Sequence, residues 1–550
     1  MSITKEAKAK FSQTKLKEIL ADYRLAVESR EASVIGRKEV FMGKAKFGIF
    51  GDGKEVAQIA MAKVFQPGDF RSGYYRDQTF MFAIGELTVQ QYFAQLYAHT
   101  DVEADPASAG RLMNGHYATR MLDENGKLKN LTQLKNSSAD ISPTAGQMPR
   151  LLGLAYASKI FRHNPQLKSY TNLSVSGNEI AFGTIGNAST SEGMFFESMN
   201  AAGVLQVPML MSVWDDGYGI SVPQEYHTTR GSISKALAGF QRTNNNERGF
   251  EILVAKGWDY IGLIDTYQRA ERICREQHVP VLVHVEEMTQ PQGHSTSGSH
   301  ERYKSKERLA WETEYDCIKK MREWIIEEVM ILPEEIDAIE KEAKQSAKLA
   351  RDLAWKAFMD DIKKDQNVVA TILTQAQSQS TKASELEEII LELTKTINPT
   401  RLDTMKAAKK ALRVLRHEDI DAKSELIRWI KDAEVENADR YSSHLYSNSE
   451  ESALKVEHVA PVYSESSSIV DGREVLQMCF DAALTRDARV LAFGEDVGRI
   501  GDVNQGFAGL QQKHGELRVT DTGIRECTII GQGIGLALRG LRPIAEIQYL

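Results

Sequence analysis

EIAFGTIGNASTSEGMFFESMNAAGVLQVPMLMSVWDDGYGIS, residues 179–221, decides how the chain must be read. EIAFGTIG is an apolar run of strand length. NASTSEG is a turn and a helix start, where Ser189 or Ser191 with Glu192 can cap the helix. SEGMFFESMNAAGVL has helical periodicity, and VPMLMSVW is a second apolar run. Strand, loop, helix, strand is a βαβ unit, which calls for a parallel sheet flanked by helices. Asn187 sits on the loop after the first strand and Asp216 at the end of the second. If the strands are neighbours, the two loops converge beside a helix N-terminus whose free N–H groups can hold an anion. One carboxylate, one amide oxygen, nearby carbonyls and a bound diphosphate would make an all-oxygen Mg2+ set. Spacing alone leaves open a plain Asp–Asp–Gly turn.

Residues 46–65 and 137–160 share one grammar, a Gly- or Pro-containing turn followed by a helix. The second of these helices is rich in small residues. VPVLVHVEE, residues 279–287, is a third buried strand, preceded by a helix around 267–277. Residues 6–45 read as helical. From 305 to 445 the chain is rich in Lys, Glu, Ala and Leu, which predicts amphipathic helices. Its cationic stretch, residues 406–434, reads as the solvated face of packed helices rather than a nucleic-acid or membrane surface. Residues 443–468 are Ser-rich and read as a linker. A second α/β unit starts at 471, with a helix at 471–487, a strand at 488–496, a small-residue helix at 527–540 and a strand from 543. Its 80 residues are fewer than a parallel-sheet domain needs, so we expect only the start of that domain.

The chain has 550 residues, enough for about three or four domains. With 42% hydrophobic and 26% charged residues it is neither collagen-like nor wholly disordered. Lys and Arg number 68 against 76 Asp and Glu, and the net charge of −8 argues against a general nucleic-acid binder. Cys274, Cys317, Cys479 and Cys527 show no metal or redox spacing. The first residues, MSITKEAKAKF, contain no apolar signal core, and no run is long enough to cross a bilayer. A cytoplasmic location without membrane partners is the expectation.

Several further segments carry a resemblance. They are SGYYRDQ (72–78), GRLMNGHYATR (110–120), SPTAGQMP (142–149), GNASTSEG (186–193) with DDGY (215–218), QPQGHSTSGSHERYKSKE (290–307), GEDVGRIGDVNQGF (494–507) and DTGIRE (521–526). In this order they resemble the E1 component of 2-oxoacid dehydrogenase complexes, which uses thiamine diphosphate. Residues 1–330 look like its α subunit, 331–442 like a helical extension, 443–470 like a linker and 471–550 like the start of its β subunit, fused in one polypeptide. The resemblance implies an α/β thiamine diphosphate-binding fold, parallel sheets flanked by helices, with a helical extension and the start of a second α/β domain.

It also implies roles. The family's metal-binding Asp falls on Asn187 and its metal-binding Asn on Asp216, so the two ligand types have exchanged places. The third ligand is the backbone carbonyl of Tyr218, and Mg2+ is the expected ion. Gly186, Ala188 and Ser189 belong to the cofactor motif. Tyr75 and Arg76 match the pair that holds the diphosphate, a task the planar Arg fork suits. The backbone groups of Ser142 and Thr144 are expected near the cofactor's centre, with His116 on the substrate side. His294 matches a loop histidine near the diphosphate. The Arg usually found before that loop is absent, and Arg302 or Lys304 could replace it. Ser295, Ser297 and Ser299 lie where some relatives are phosphorylated. Lys54 and Glu55 match a helix start and are expected to be structural. Glu526 matches the carboxylate that shares a proton with the cofactor's N1′, although Gly523 and Arg525 replace the family's Pro and Ser. Glu495 is expected to be structural or interfacial.

The implied activity is oxidative decarboxylation of a 2-oxoacid, branched-chain favoured, with acyl transfer to a lipoyl-bearing E2 acyltransferase. Pyruvate and acetoin are alternative substrates, and a non-catalytic E2-binding scaffold is the alternative without chemistry. The resemblance further implies a homodimer, in which the small residues Ala201, Ala202 and Gly203 would allow tight packing.

Overall fold

The computed structural model describes residues 11–244, 247–443 and 445–549. MSITKEAKAK, most of the stretch searched for a signal core, lies outside the described residues, as do the first five residues of the helix expected at 6–45. Within them, helix α1 (Gln13–Phe41) starts at Ser12, whose side chain accepts from Lys15 N. Helices α2 (Glu55–Ala62), α3 (Gln147–His163), α4 (Gly193–Leu205) and α5 (Tyr260–Gln277) follow.

Strands β1 (Phe70–Ser72), β2 (Asn136–Ser137), β3 (Ala181–Gly186), β4 (Met209–Trp214), β7 (Glu251–Lys256) and β8 (Val281–Glu286) form one six-stranded sheet. The order is β2-β1-β3-β4-β8-β7, and every pairing is parallel. A small antiparallel pair, β5 (Tyr218–Gly219) and β6 (Val222–Pro223), stands beyond β4. The opening stretch thus forms β3, α4 and β4, with Gly186 opposite Trp214. That register sends Asn187 and Asp216 off the same carboxyl edge. Alternation divides the strands' apolar side chains between two cores. Phe182, Leu210 and Val283 pack with α1, α2 and α5. Ala181, Met211, Val213 and Leu282 pack with α3 and α4.

Helix α6 (Cys317–Glu327) leads to α7 (Pro333–Gln379), 47 residues long. Ile336, Ile339, Ala343, Ala347 and Ala354 of α7 join the core around α1. Its Val369, Ile372, Leu373 and Ala376 join a separate core with α8 (Ala383–Lys395), α9 (Arg401–Val414) and α10 (Asp421–Ser442). The packing therefore changes inside α7, because one continuous helix serves both cores. On the cationic stretch Ala407, Ala408, Ala411, Leu426 and Ile430 face the bundle, while Lys409 pairs with Glu434 on the outside.

Residues 445–470 contain one 3-10 turn, Ala453–Lys455, and no helix or strand. The second α/β unit has α11 (Gly472–Arg486), β9 (Val490–Gly494), β10 (Val519–Asp521), α12 (Glu526–Leu538) and β11 (Arg542–Ala545). Its strands are parallel in the order β10-β9-β11. This unit shares the first unit's core through Phe493, Ile529, Leu536 and Leu541.

The two small-residue helices pack on each other. A Cβ on Gly531 would lie 2.1 Å from Pro149 Cβ, one on Gly153 2.1 Å from Gln532 O, and one on Gly535 2.3 Å from Arg150 O. Each helical Gly costs about 1 kcal/mol against Ala, and here backbone contact between α3 and α12 offsets it. Arg539 locks the join, donating to Glu179 at 2.7 Å and to Ser158 Oγ at 2.9 Å, with its guanidinium over the Phe70 ring. The glycine-bearing contact is thus internal. Ala201, Ala202 and Gly203, expected to serve a dimer contact, are buried in the chain's own fold instead, because α4 packs on α3 within the shared core. Among the described residues no helix is long and apolar enough to cross a membrane. All four cysteines are free thiols, with Cys274 and Cys317 buried.

Candidate functional site

A cavity of about 500 Å³ opens at the carboxyl edge of β3 and β4, the place where open parallel sheets bind ligands. Gly186, Asn187, Ala188 and Ser189 line it from the loop after β3. Asp216 and Tyr218 line it from the loop after β4. Tyr75, Arg76, Ser142, Thr144 and His294 complete the wall from three other loops. Eleven of the thirteen residues matched to the family's catalytic, cofactor and metal positions thus share one cavity. His116 and Glu526 do not line it.

A buried network beneath the cavity fixes the Tyr75–Arg76 loop. Arg71 and Asp77 are fully buried and paired at 2.6 Å. Arg71 also reaches Asp140 at 3.0 Å and Ser137 Oγ at 2.8 Å. Tyr74 N donates to Asp77 at 3.3 Å, which turns the loop toward the cavity. Sequence reasoning missed this network. Its one trace was the Asp of SGYYRDQ, beside the Arg that received the attention. Arg76 donates to Phe50 O at 2.6 Å and His294 O at 3.0 Å. Those two bonds fix its fork.

His116 stands behind the wall, fully buried. Its Nδ1 lies 3.1 Å from Met113 O and its Nε2 3.0 Å from Ser142 Oγ. A carbonyl only accepts, so Nδ1 carries a hydrogen, and Nε2 shares a hydrogen bond with the Ser142 hydroxyl. His116 therefore reaches the cavity through the Ser142 hydroxyl, not directly on the substrate side. His294 is on the wall itself. Burial, with help from Arg76 and Lys54, pulls its imidazole down to about 4, so the ring is neutral near pH 7. Of the two candidates for the missing loop Arg, Lys304 lines the cavity and Arg302 does not. Lys304 pairs with the buried Glu312 at 2.7 Å, and Arg308 shares that carboxylate at 2.8 Å. Ser295 is buried, out of reach of a modifying enzyme in this conformation.

Lys54 departs furthest from its expected role. Its buried ammonium donates to Asp216 Oδ2 at 3.0 Å, Thr289 O at 2.9 Å and Gln290 Oε1 at 2.7 Å. Burial pulls Lys54 below the ordinary lysine range, opposed by the adjacent Asp216. Burial pushes the Asp216 carboxyl up, but Lys54, Lys304 and Arg76 outweigh it and hold the carboxyl below the usual range. The other Asp of the pair, Asp215, turns away from the cavity to His284 Nε2 at 2.9 Å and Gln224 Nε2 at 3.0 Å.

These contacts test two ligands. Tyr74 OH, Asn187 Nδ2 and Gln290 Nε2 are buried on cavity-lining residues and have no partner in the protein. Three unsatisfied donors beside Arg76 and Lys304 fit an anionic cofactor such as thiamine diphosphate. A divalent cation fits poorly. Among the described residues Asp216 is the sole carboxylate on the wall, and its Oδ2 is already paired with the Lys54 ammonium while its Oδ1 accepts from Tyr218 N at 3.2 Å. Among the described residues no group of three His, Cys, Asp or Glu side chains is placed to hold a metal ion. The expected Mg2+ set of Asn187, Asp216 and the Tyr218 carbonyl comes together, but an ammonium has already engaged its only charged ligand.

Glu526 opens α12 on the second unit and is exposed. Its neighbours Cys527 and Thr528 touch Met194 and Glu197 of α4, on the flank of the first unit. Arg525, in the place of the family's Ser, is buried and donates to Gln532 Oε1 at 2.8 Å.

Residues 23–363 match the family model of the dehydrogenase E1 component, and residues 469–550 match that of the transketolase pyrimidine binding domain. Among curated relatives, the pyruvate dehydrogenase E1 component subunit beta of Acholeplasma laidlawii is 45% identical over 82 residues, 15% of this chain and 25% of the relative. The 2-oxoisovalerate dehydrogenase subunit beta of Bacillus subtilis (strain 168) is 44% identical over 82 residues, with the same coverage. That of Pseudomonas aeruginosa is 45% identical over 76 residues, 14% of this chain and 22% of the relative. The chain spans about a quarter of the length of these relatives.

Proposed function

The chain belongs to the dehydrogenase E1 component family, and from that premise we propose that it carries out the oxidative decarboxylation of a 2-oxoacid, with thiamine diphosphate as cofactor, and passes the acyl group to a lipoyl-bearing E2 acyltransferase. The observation that carries this reading is the cavity at the sheet's carboxyl edge, where Arg76, Lys304 and three unsatisfied donors surround room for an anionic cofactor. Thiamine diphosphate, when bound, supplies the electron sink that lets a 2-oxoacid lose CO2.

The chain's own residues do the rest. Arg76, already fixed by two carbonyls, holds a diphosphate oxygen without reorganising. The Ser142 hydroxyl, oriented by His116, places a polar group beside the reacting end. His294, neutral near pH 7, offers a ring nitrogen without adding charge. Glu526 holds a proton against the cofactor's N1′. It lies outside its own chain's cavity, which supports a homodimer in which a second copy supplies it.

A branched-chain 2-oxoacid is the favoured substrate, on the resemblance of the segments around His116 and His294. Pyruvate is the second reading, favoured by relatives named for pyruvate at the same level of identity. The test is dye reduction by the full-length protein with thiamine diphosphate, comparing 3-methyl-2-oxobutanoate, 4-methyl-2-oxopentanoate and pyruvate. Turnover lost in Glu526→Gln is the expected result. Mixing Glu526→Gln with Arg76→Ala should restore part of the activity if Glu526 acts across a dimer. Absence of turnover with every 2-oxoacid, with cofactor bound, would sink the proposal.

A further inference from the structure

The Lys54 ammonium spends all three of its hydrogens on protein oxygens, those of Asp216, Thr289 and Gln290. It lies behind the cavity wall and acts through two residues that form it. It cancels the Asp216 charge that would otherwise repel an incoming diphosphate. It also sets the Gln290 amide, since accepting from Lys54 at Oε1 leaves the buried Nε2 as the unpartnered donor.

The remaining charges favour an anion without help. Lys304 and Arg308 share the single carboxylate of Glu312. Arg76 bonds to two backbone carbonyls, and no carboxylate pairs with it among the described residues. With Asp216 cancelled, the wall carries an excess of positive charge. A divalent ion bound to Asp216 would share a carboxylate already paired with Lys54 and sit beside that buried ammonium, at a cost in repulsion and desolvation.

We infer that this site binds a diphosphate group without a divalent metal ion, the Lys54 ammonium doing the work that a metal would do at Asp216. The inference rests on the cofactor reading above, because it concerns how that cofactor is held.

The test is calorimetric titration of the full-length protein, freed of metal with EDTA, with thiamine diphosphate and separately with inorganic pyrophosphate. Each titration is run in EDTA and in excess Mg2+. The expected result is a Kd for thiamine diphosphate that agrees within about threefold between the two media. Lys54→Gln should weaken binding in EDTA by about tenfold or more, with Mg2+ restoring part of the loss, whereas Lys54→Arg should stay metal-independent. A purely structural role for Lys54 would not create metal dependence. Wild-type binding seen only with Mg2+ overturns the inference and leaves the cofactor reading standing. Thiamine diphosphate binding in neither medium overturns both. The wild-type comparison decides the matter even if Lys54→Gln fails to fold.

Discussion

His116 Nε2 is hydrogen-bonded to the Ser142 hydroxyl at 3.0 Å while its Nδ1 is held by the carbonyl of Met113. The histidine is fully buried and the serine forms part of the cavity wall. The pair converts a core imidazole into control over a hydroxyl orientation at the site. Removing either partner should lower kcat/KM by about tenfold, the cost of roughly one hydrogen bond. His116→Ala and Ser142→Ala should not add, because both remove the same bond. A double-mutant cycle in the dye-reduction assay checks this; full additivity would show that His116 acts elsewhere.

Arg71 bridges Asp77 and Asp140 where none of the three meets solvent. Truncating a buried partner leaves uncompensated carboxylates, so Arg71→Met should destabilise the protein by about 3–5 kcal/mol. Denaturant unfolding of the full chain measures it. A loss below about 1 kcal/mol would mean the network contributes little.

Gly535 on α12 approaches α3 so closely that a Cβ would meet Arg150 O at 2.3 Å and Leu154 N at 2.5 Å. Gly535→Ala should cost about 1–3 kcal/mol by forcing the helices apart. Limited proteolysis within residues 445–470 should then release the second unit faster. Gly472→Ala is the control, since nothing lies within 4 Å of a Cβ there.

His278 is buried against Gly177 O at 2.9 Å, and burial, with Arg162 nearby, pulls its imidazole down to about 3. The unfolded chain, with a pKa near about 6.5, binds the proton first. Its contribution is therefore complete above about pH 6.5 and declines as the pH falls toward about 3, by up to about 1.4 kcal/mol per unit. His278→Asn, which tolerates the left-handed backbone at this helix end, should flatten that part of the curve. An unchanged slope between about pH 6 and 4 would contradict the assignment.

The strands β3, β4 and β8 were legible because buried parallel strands are continuous apolar runs. β1, β2 and β10 were not, with only two or three residues each and no apolar run. The cavity residues were legible as segments resembling one family, but not as contacts. Lys54 shows why. In sequence it opens a helix after a Gly-rich turn. In space it meets Asp216, 162 residues away.

The sequence alone determined the layered α/β architecture and the order of its segments, because periodicity and turn chemistry are local. Only the tertiary structure decided that Lys54 engages Asp216, that His116 bonds to Ser142 behind the cavity wall, that Ala201 and Ala202 belong to the chain's own core and that Glu526 lies away from its own cavity. Each of those depends on which distant segments approach within a few ångströms, and that is fixed by sheet register and by the close contact of α3 with α12.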